Sequence, residues 1–83
     1  MIHNLKTLPV YFNRVWRLEK QFEIRKNDRG FQTGDKLILE EWTEKDGYTN
    51  RVIECTVKYV LYGFEGLTDG YVALGIEINN LAS

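Results

Sequence analysis

Eighty-three residues with a formal net charge of −1, a single cysteine and a single histidine point to one small domain spanning residues 1–83. A chain of this size buries only roughly 60% of its unfolded surface, enough for one core layer and one shallow site, and its near-neutral charge excludes a protein that grips long duplexes by massed phosphate contacts. The composition, 43% hydrophobic and 28% charged, is that of a soluble globular protein, with no run near the roughly 18 apolar residues of a membrane span and no signal-peptide pattern at the start.

In chain order, Ile2–Lys6 alternates weakly as a short first strand, with Ile2 or Leu5 turned inward. His3 is either a base contact or acid/base group with a tunable proton, or a histidine that caps the strand. Thr7-Leu8-Pro9 reads as a helix start, with Thr7 the cap and Pro9 in the first turn, where its missing N–H is harmless. Tyr11, Phe12, Val15 and Trp16, extended as far as Glu19, form one apolar stripe at helical spacing. Asn13, Arg14 and Arg17 lie opposite, and Arg17 and Lys20 suit the negative end of the helix dipole.

Glu19–Arg29 is the most informative stretch. It alternates as a half-buried strand, Phe22 and Ile24 on one face and Glu23 and Arg25 on the other, then enters a turn at Asn27-Asp28-Arg29-Gly30. A fixed acceptor beside a fixed cation suits the polar edge of a ligand. Equally, Glu23 and Arg25 can pair with one another or with Lys6 and fasten the helix to the sheet. Asn27 and Asp28 are residue types whose side chains bond their own backbone in turns. Residues 1–29 also hold seven Lys and Arg against three acids, a local +4 that leaves −5 for the remainder. Such asymmetry focuses positive potential toward an anionic partner.

Gly30 and Gly34 frame the next loop, and Lys36–Trp42 forms a strand. Asp46-Gly47 between two β-rich runs marks a hairpin. Arg51–Leu61 is the longest strand, with Ile53, Cys55, Val57, Tyr59 and Leu61 inward. Cys55 is then a small buried hydrophobe and not a nucleophile. A lone cysteine fits a reducing cytoplasm, and with a single histidine it supplies no zinc site without carboxylates or a second chain. After a loop punctuated by Gly63, Gly66 and Gly70, Tyr71–Ile78 closes the chain as a last strand, with Asn79 onward a frayed tail. The expected fold is mainly β with one early helix (α+β), a strongly bent sheet closing into a partial barrel with the helix beside it.

Several short motifs in this order resemble one family. Lys20-x-x-Glu23-x-Arg25, followed by Gly34-Asp35 ahead of a strand, is similar to the signature of the ASCH domain (activating signal cointegrator homology) of the PUA-like superfamily. His3-x-Leu5-Lys6, Pro9-x-Tyr11-Phe12, Phe22 to Arg29, Tyr48-Thr49-x-Arg51, Gly66-Leu67 and Gly70-Tyr71-Val72 resemble its small bacterial and phage members along essentially the whole chain. One departure is Leu18, where the family has glycine two residues before the lysine.

The resemblance implies a PUA-like β-barrel with a cleft between helix and barrel that binds RNA or a modified nucleoside or nucleotide, with no metal and no cofactor. Lys6, Tyr11, Lys20, Glu23, Arg25, Asn27, Arg29 and Trp42 are the expected ligand-binding residues. Glu23 would accept from an exocyclic amine and Arg25 would meet a phosphate or a ring. Lys6 and Lys20 would supply point charges, and Tyr11 or Trp42 a stacking face, unless Trp42 serves only packing. Some bacterial relatives are amidohydrolases of N4-acetylcytidine that use Lys-x-x-Thr-x-Arg. Here Glu23 replaces the threonine, so a hydrolase would use Lys20 and Glu23 as an acid/base pair without a hydroxyl nucleophile. An interaction domain with no ligand chemistry is the third alternative.

Overall fold

A computed structural model describes all 83 residues. Its elements are β1 (Ile2–Thr7), α1 (Pro9–Trp16), β2 (Phe22–Lys26), β3 (Lys36–Thr43), β4 (Gly47–Leu61) and β5 (Tyr71–Ala82). The strands form one sheet in the order β1-β3-β4-β5-β2, with β1 parallel to β3 and every other pair antiparallel. The sheet curls around a core that includes Leu5, Leu37, Leu39, Ile53, Val57 and Leu74, and Phe12 and Val15 of α1 seal its mouth. Each such side chain contributes about 1.5–3 kcal/mol on leaving water. No helix is long and apolar enough to cross a membrane.

Curling brings the edge strands β1 and β2 near one another without pairing them. Side chains bridge the seam instead: Arg25 donates from Nη1 to the carbonyl of Lys6 (3.2 Å), and Arg29 donates from Nη1 to the carbonyl of Asn4 (2.8 Å). A sheet that had closed fully would satisfy those carbonyls with main-chain amides; here two guanidinium groups do so, protecting an otherwise open edge.

Local expectations fail in physically instructive ways. Thr7 is not the helix cap: it ends β1, its hydroxyl donates to the carbonyl of Leu5 (3.1 Å), and Leu8 occupies the cap position with no side-chain bond. Pro9 does open the helix. Leu5 is inward and Ile2 outward, because the register with β3 sets Leu5 beside the buried Leu39. The helix stops at Trp16, so Glu19 falls outside it. On β4, Ile53, Cys55 and Val57 are buried, but a bulge between Val57 and Tyr59 reverses the alternation beyond it. Tyr59 turns outward and Val60 packs against the core in its stead. Asn79 onward is not frayed. The long β4 continues alongside, pairing Val52 with Ala82, and Asn80 donates to Glu54 (3.1 Å).

α1 ends in a left-handed cap. Leu18 has φ 63°, its amide donates to the carbonyl of Val15 (2.9 Å), and the Glu19 amide reaches back to Arg14 (2.9 Å). That double bond pattern is a Schellman motif, whose left-handed position favours glycine. Leucine is strained there by roughly 1–2 kcal/mol, partly offset because glycine is freer when unfolded. Leu18→Gly is therefore expected to stabilise the protein by about 0.5–1 kcal/mol in urea titration, and a loss of stability would contradict the cap assignment.

His3 is buried beneath the loop before β3. Its Nε2 lies 2.8 Å from Oδ2 of Asp35, and its ring meets Phe31 edge-on at 4.8 Å. A carboxylate only accepts, so Nε2 carries the proton. Asp35 also accepts from the Gln32 amide (3.0 Å). The His3 bond, with that amide, holds the Asp35 carboxyl below its ordinary 3.8, against the opposing effect of burial. Because the unfolded state binds the proton more readily, this contribution is complete well above pH 3.8 and is lost as pH falls through the lower, folded value. Asp35→Asn is expected to cost about 1–2 kcal/mol at pH 7. Its stability curve should also lose part of the wild-type decline between pH 5 and pH 2, and parallel acid limbs would contradict this role.

Candidate functional site

The site begins with the unusual orientation of β2. An amphipathic strand ordinarily turns its apolar face to the core, yet Phe22 and Ile24 are 48% and 52% exposed while Glu23 is 3% exposed. β2 is also an edge strand of the sheet. A carboxylate is tolerated inside only with partners, and Glu23 has two. Lys20, on the turn after α1, donates to Oε1, and Arg25 donates from Nε to Oε2 (3.0 Å), with its Nη2 lying 2.9 Å from the same oxygen as an ion pair. Arg25 Nη2 also reaches the Thr7 hydroxyl (3.0 Å). The guanidinium thus ties β2 to the end of β1 and holds the carboxylate in one orientation.

Above this charged floor lies an open cleft of about 720 Å³, within the range of small-molecule sites. β1 contributes Lys6 and Thr7, α1 and its cap Leu8, Val10, Tyr11 and Arg14, the following turn Lys20, and β2 the residues from Phe22 to Arg25. The exposed Leu8, Val10, Tyr11, Phe22 and Ile24 line it with apolar surface. Main-chain bonds of Ile76 to Gln21 (3.1 Å) and of Asn27 to Gly70 (2.7 Å) set the register of β2 on β5. In that register the amide and carbonyl groups of Phe22 and Ile24 face the free edge, where a ligand can meet them.

Five of the expected residues, Lys6, Tyr11, Lys20, Glu23 and Arg25, therefore line one cleft. Three do not. Asn27 is a turn former whose Oδ1 accepts from the Phe31 amide (3.1 Å). Arg29 is consumed at the seam with Asn4. Trp42 lies under the Lys6 ammonium, 4.2 Å from its ring centroid, which makes it a packing surface for Lys6. His3 is committed to Asp35 and takes no part in the cleft. Burial, helped by the negative charge of Glu23, pushes the Cys55 thiol up to about 12, which keeps it protonated and inert. Glu23 and Arg25 do pair with one another, and Lys6 joins them through its carbonyl, not its ammonium.

With the cleft residues all lying between Lys6 and Arg25, kinship can be set against the geometry. Residues 2–76 match the family described as Domain of unknown function (DUF3850). The chain belongs to this family. The DUF3850 span includes the whole cleft and the seam, and leaves out Met1 and the residues from Glu77 onward, the last part of β5 among them. Within curated proteins the chain is similar to an uncharacterised 12.9 kDa protein in the GpA 3′ region of Escherichia phage P2, 38% identical over 73 residues. That match covers 88% of this chain and 65% of the phage protein.

Sequence reasoning missed Thr7, Leu8, Val10, Arg14, Phe22 and Ile24 as cleft residues of this DUF3850 chain. One signal was present: Phe22 and Ile24 alternate with a charged pair on a strand flanked by further charges. Either face of such a strand can turn inward when the charges find partners.

Proposed function

We propose that the cleft between α1 and β2 binds a nucleobase from single-stranded RNA or from a modified nucleoside or nucleotide, in an ASCH-like module of the PUA-like superfamily. The observation that carries this reading is the buried Glu23 carboxylate, held by Lys20 and Arg25 at the floor of an apolar-walled cleft. A carboxylate has about four acceptor sites, and hydrogen bonds from Lys20 Nζ and Arg25 Nε occupy two, with Arg25 Nη2 close to Oε2 as well. Acceptor capacity left over suits an exocyclic amine, as on cytosine. The half-exposed Tyr11 ring offers a stacking face. The cleft lining holds four cations, Lys6, Arg14, Lys20 and Arg25, against the single carboxylate of Glu23, a positive balance that suits an attached phosphate.

Contact between Lys20 Nζ and Glu23 favours one second reading. An ammonium and a carboxylate sharing a proton path can act as acid and base in hydrolysis of an N4-acylated cytidine. A thermal-shift screen of nucleosides, modified cytidines and short RNAs tests both. A ligand at a hundred times its dissociation constant adds about 2.7 kcal/mol, a rise on the order of 10 °C for a domain this small. The rise should be lost in Tyr11→Ala and Lys6→Ala, which do not hold the fold. Release of acetate from N4-acetylcytidine, absent in Lys20→Ala, would favour the hydrolase. A flat screen with both panels would overturn both readings.

A further inference from the structure

The outer face of the sheet, away from the core and adjoining the cleft along β2, carries a second feature. Tyr59 of β4, Gly75 of β5 and Phe22 of β2 stand in one cross-strand row. Tyr59 is 64% exposed and Phe22 48% exposed. Two interstrand spacings put their backbones about 10 Å apart, with only a glycine between. The next row, Leu61, Ala73 and Ile24, extends the same apolar face, and Lys26 follows beside Tyr71.

Gly75 lies opposite the bulge that turns Tyr59 outward, yet neither its backbone angles nor its surroundings demand glycine there. Glycine inside a strand weakens it, and Gly75 does not have the positive φ that would demand glycine. A Cβ there would meet its nearest neighbour, the Tyr59 Cβ, at 3.7 Å, an ordinary contact. The protein has room for alanine and lacks it. Meanwhile the bulge between Val57 and Tyr59 spends a ladder position to aim an aromatic ring at solvent. Together they leave an open floor flanked by two aromatic rings, a form that admits a flat group close to the backbone.

Charge and continuity define the guest. The Lys20 ammonium lies 5.1 Å from the Phe22 ring centroid, and both residues also line the cleft. The aromatic row thus begins at the cleft's rim, with Lys20 at one end and Lys26 on the same face. We infer that this face is a second stacking subsite, which takes the nucleotides next to the cleft-bound one as a single strand passes over Phe22 onto Gly75 and Tyr59. The inference rests on the cleft reading above and deepens it: the ligand is a strand of several nucleotides and not an isolated nucleoside. Aromatic faces with flanking cations are how such strands are held without sequence preference.

The test is fluorescence anisotropy with labelled octacytidylate and octauridylate at fixed salt. Tyr59→Ala should weaken binding by roughly tenfold or more. Gly75→Ala should weaken it severalfold while its melting temperature stays at or above that of the wild type, which a purely structural glycine would not show. Octamer binding that falls in Lys6→Ala but is unchanged in Tyr59→Ala overturns the subsite and leaves the cleft reading standing. A dimer in sedimentation that Tyr59→Ala dissolves, with octamer affinity unchanged, assigns the face to a second copy and also overturns it. Absence of octamer binding overturns it too, and the nucleoside thermal shift then decides separately whether the cleft reading falls.

Discussion

Arg25→Ala is expected to lower the unfolding free energy by about 3 kcal/mol, and the melting temperature by on the order of 15 °C. Three losses coincide. Glu23, whose side chain is 4% exposed, loses the side-on guanidinium and keeps only Lys20. The Lys6 carbonyl and the Thr7 hydroxyl lose their donor at the same time. The seam between β1 and β2 then relies on Arg29 alone. Breaking a buried pair from one side usually costs about 3–5 kcal/mol, and the lower end is apt because the Arg25 side chain is 24% exposed and water can replace part of what it gave. Replacing both partners by apolar residues, Glu23→Leu with Arg25→Met, should recover a large share, since no orphaned carboxylate remains. Equilibrium urea unfolding measures both. A loss below about 1 kcal/mol in the single variant would show that the guanidinium does not hold the seam.

Arg51→Ala is expected to cost about 2–3 kcal/mol by loosening α1 from the sheet. The Arg51 guanidinium lies 4.4 Å from the Trp16 ring centroid and 5.0 Å from that of Phe12. Its Nη2 donates to Asn13 (3.2 Å), and its Nη1 lies 3.5 Å from Glu41, which is 5% exposed and also accepts from Thr49 (2.7 Å). One side chain therefore joins three helix residues to β3 and β4. Each cation–ring contact contributes about 0.5–2 kcal/mol, and removing the cation leaves Glu41 buried beside a neutral donor. Arg51→Lys should recover less than half of the loss, because an ammonium lacks the planar fork that meets rings and acceptors together. Full recovery in Arg51→Lys would show that charge alone matters.

The contrast between these two arginines explains what was legible in the chain. Arg25 stood out because it alternates with Glu23 on a short strand, and their mutual pairing was one of the readings open from residue types alone. Which face of β2 turns inward was not legible. A period of two is the same whichever face is buried, and the answer depends on Lys20, a turn residue folding back, and on β1 arriving across the seam. Arg51, Glu41 and Asn13 are 10 to 38 positions apart in sequence, and nothing local links them.

Tyr59 teaches the same lesson at smaller scale. The length and apolar character of β4 are legible in its residues, but the bulge that reverses its last residues leaves no mark in residue type. Leu18 is the opposite case. A glycine expected there by resemblance identifies a left-handed position, and the backbone adopts that conformation although leucine occupies it. Asn79–Ala82 read as a tail because its polarity resembles one. Its order comes from the overhang of β4, a property of the partner strand.

The central claim, that a nucleobase enters the cleft over Glu23, is most directly tested by titrating ¹⁵N-labelled protein with cytidine 5′-monophosphate and following backbone amides. Shifts should concentrate at Lys6–Tyr11 and Lys20–Arg25, saturate with the ligand, and weaken in Tyr11→Ala. Amides that stay still across those two stretches at millimolar ligand, or that move only elsewhere on the surface, would contradict it.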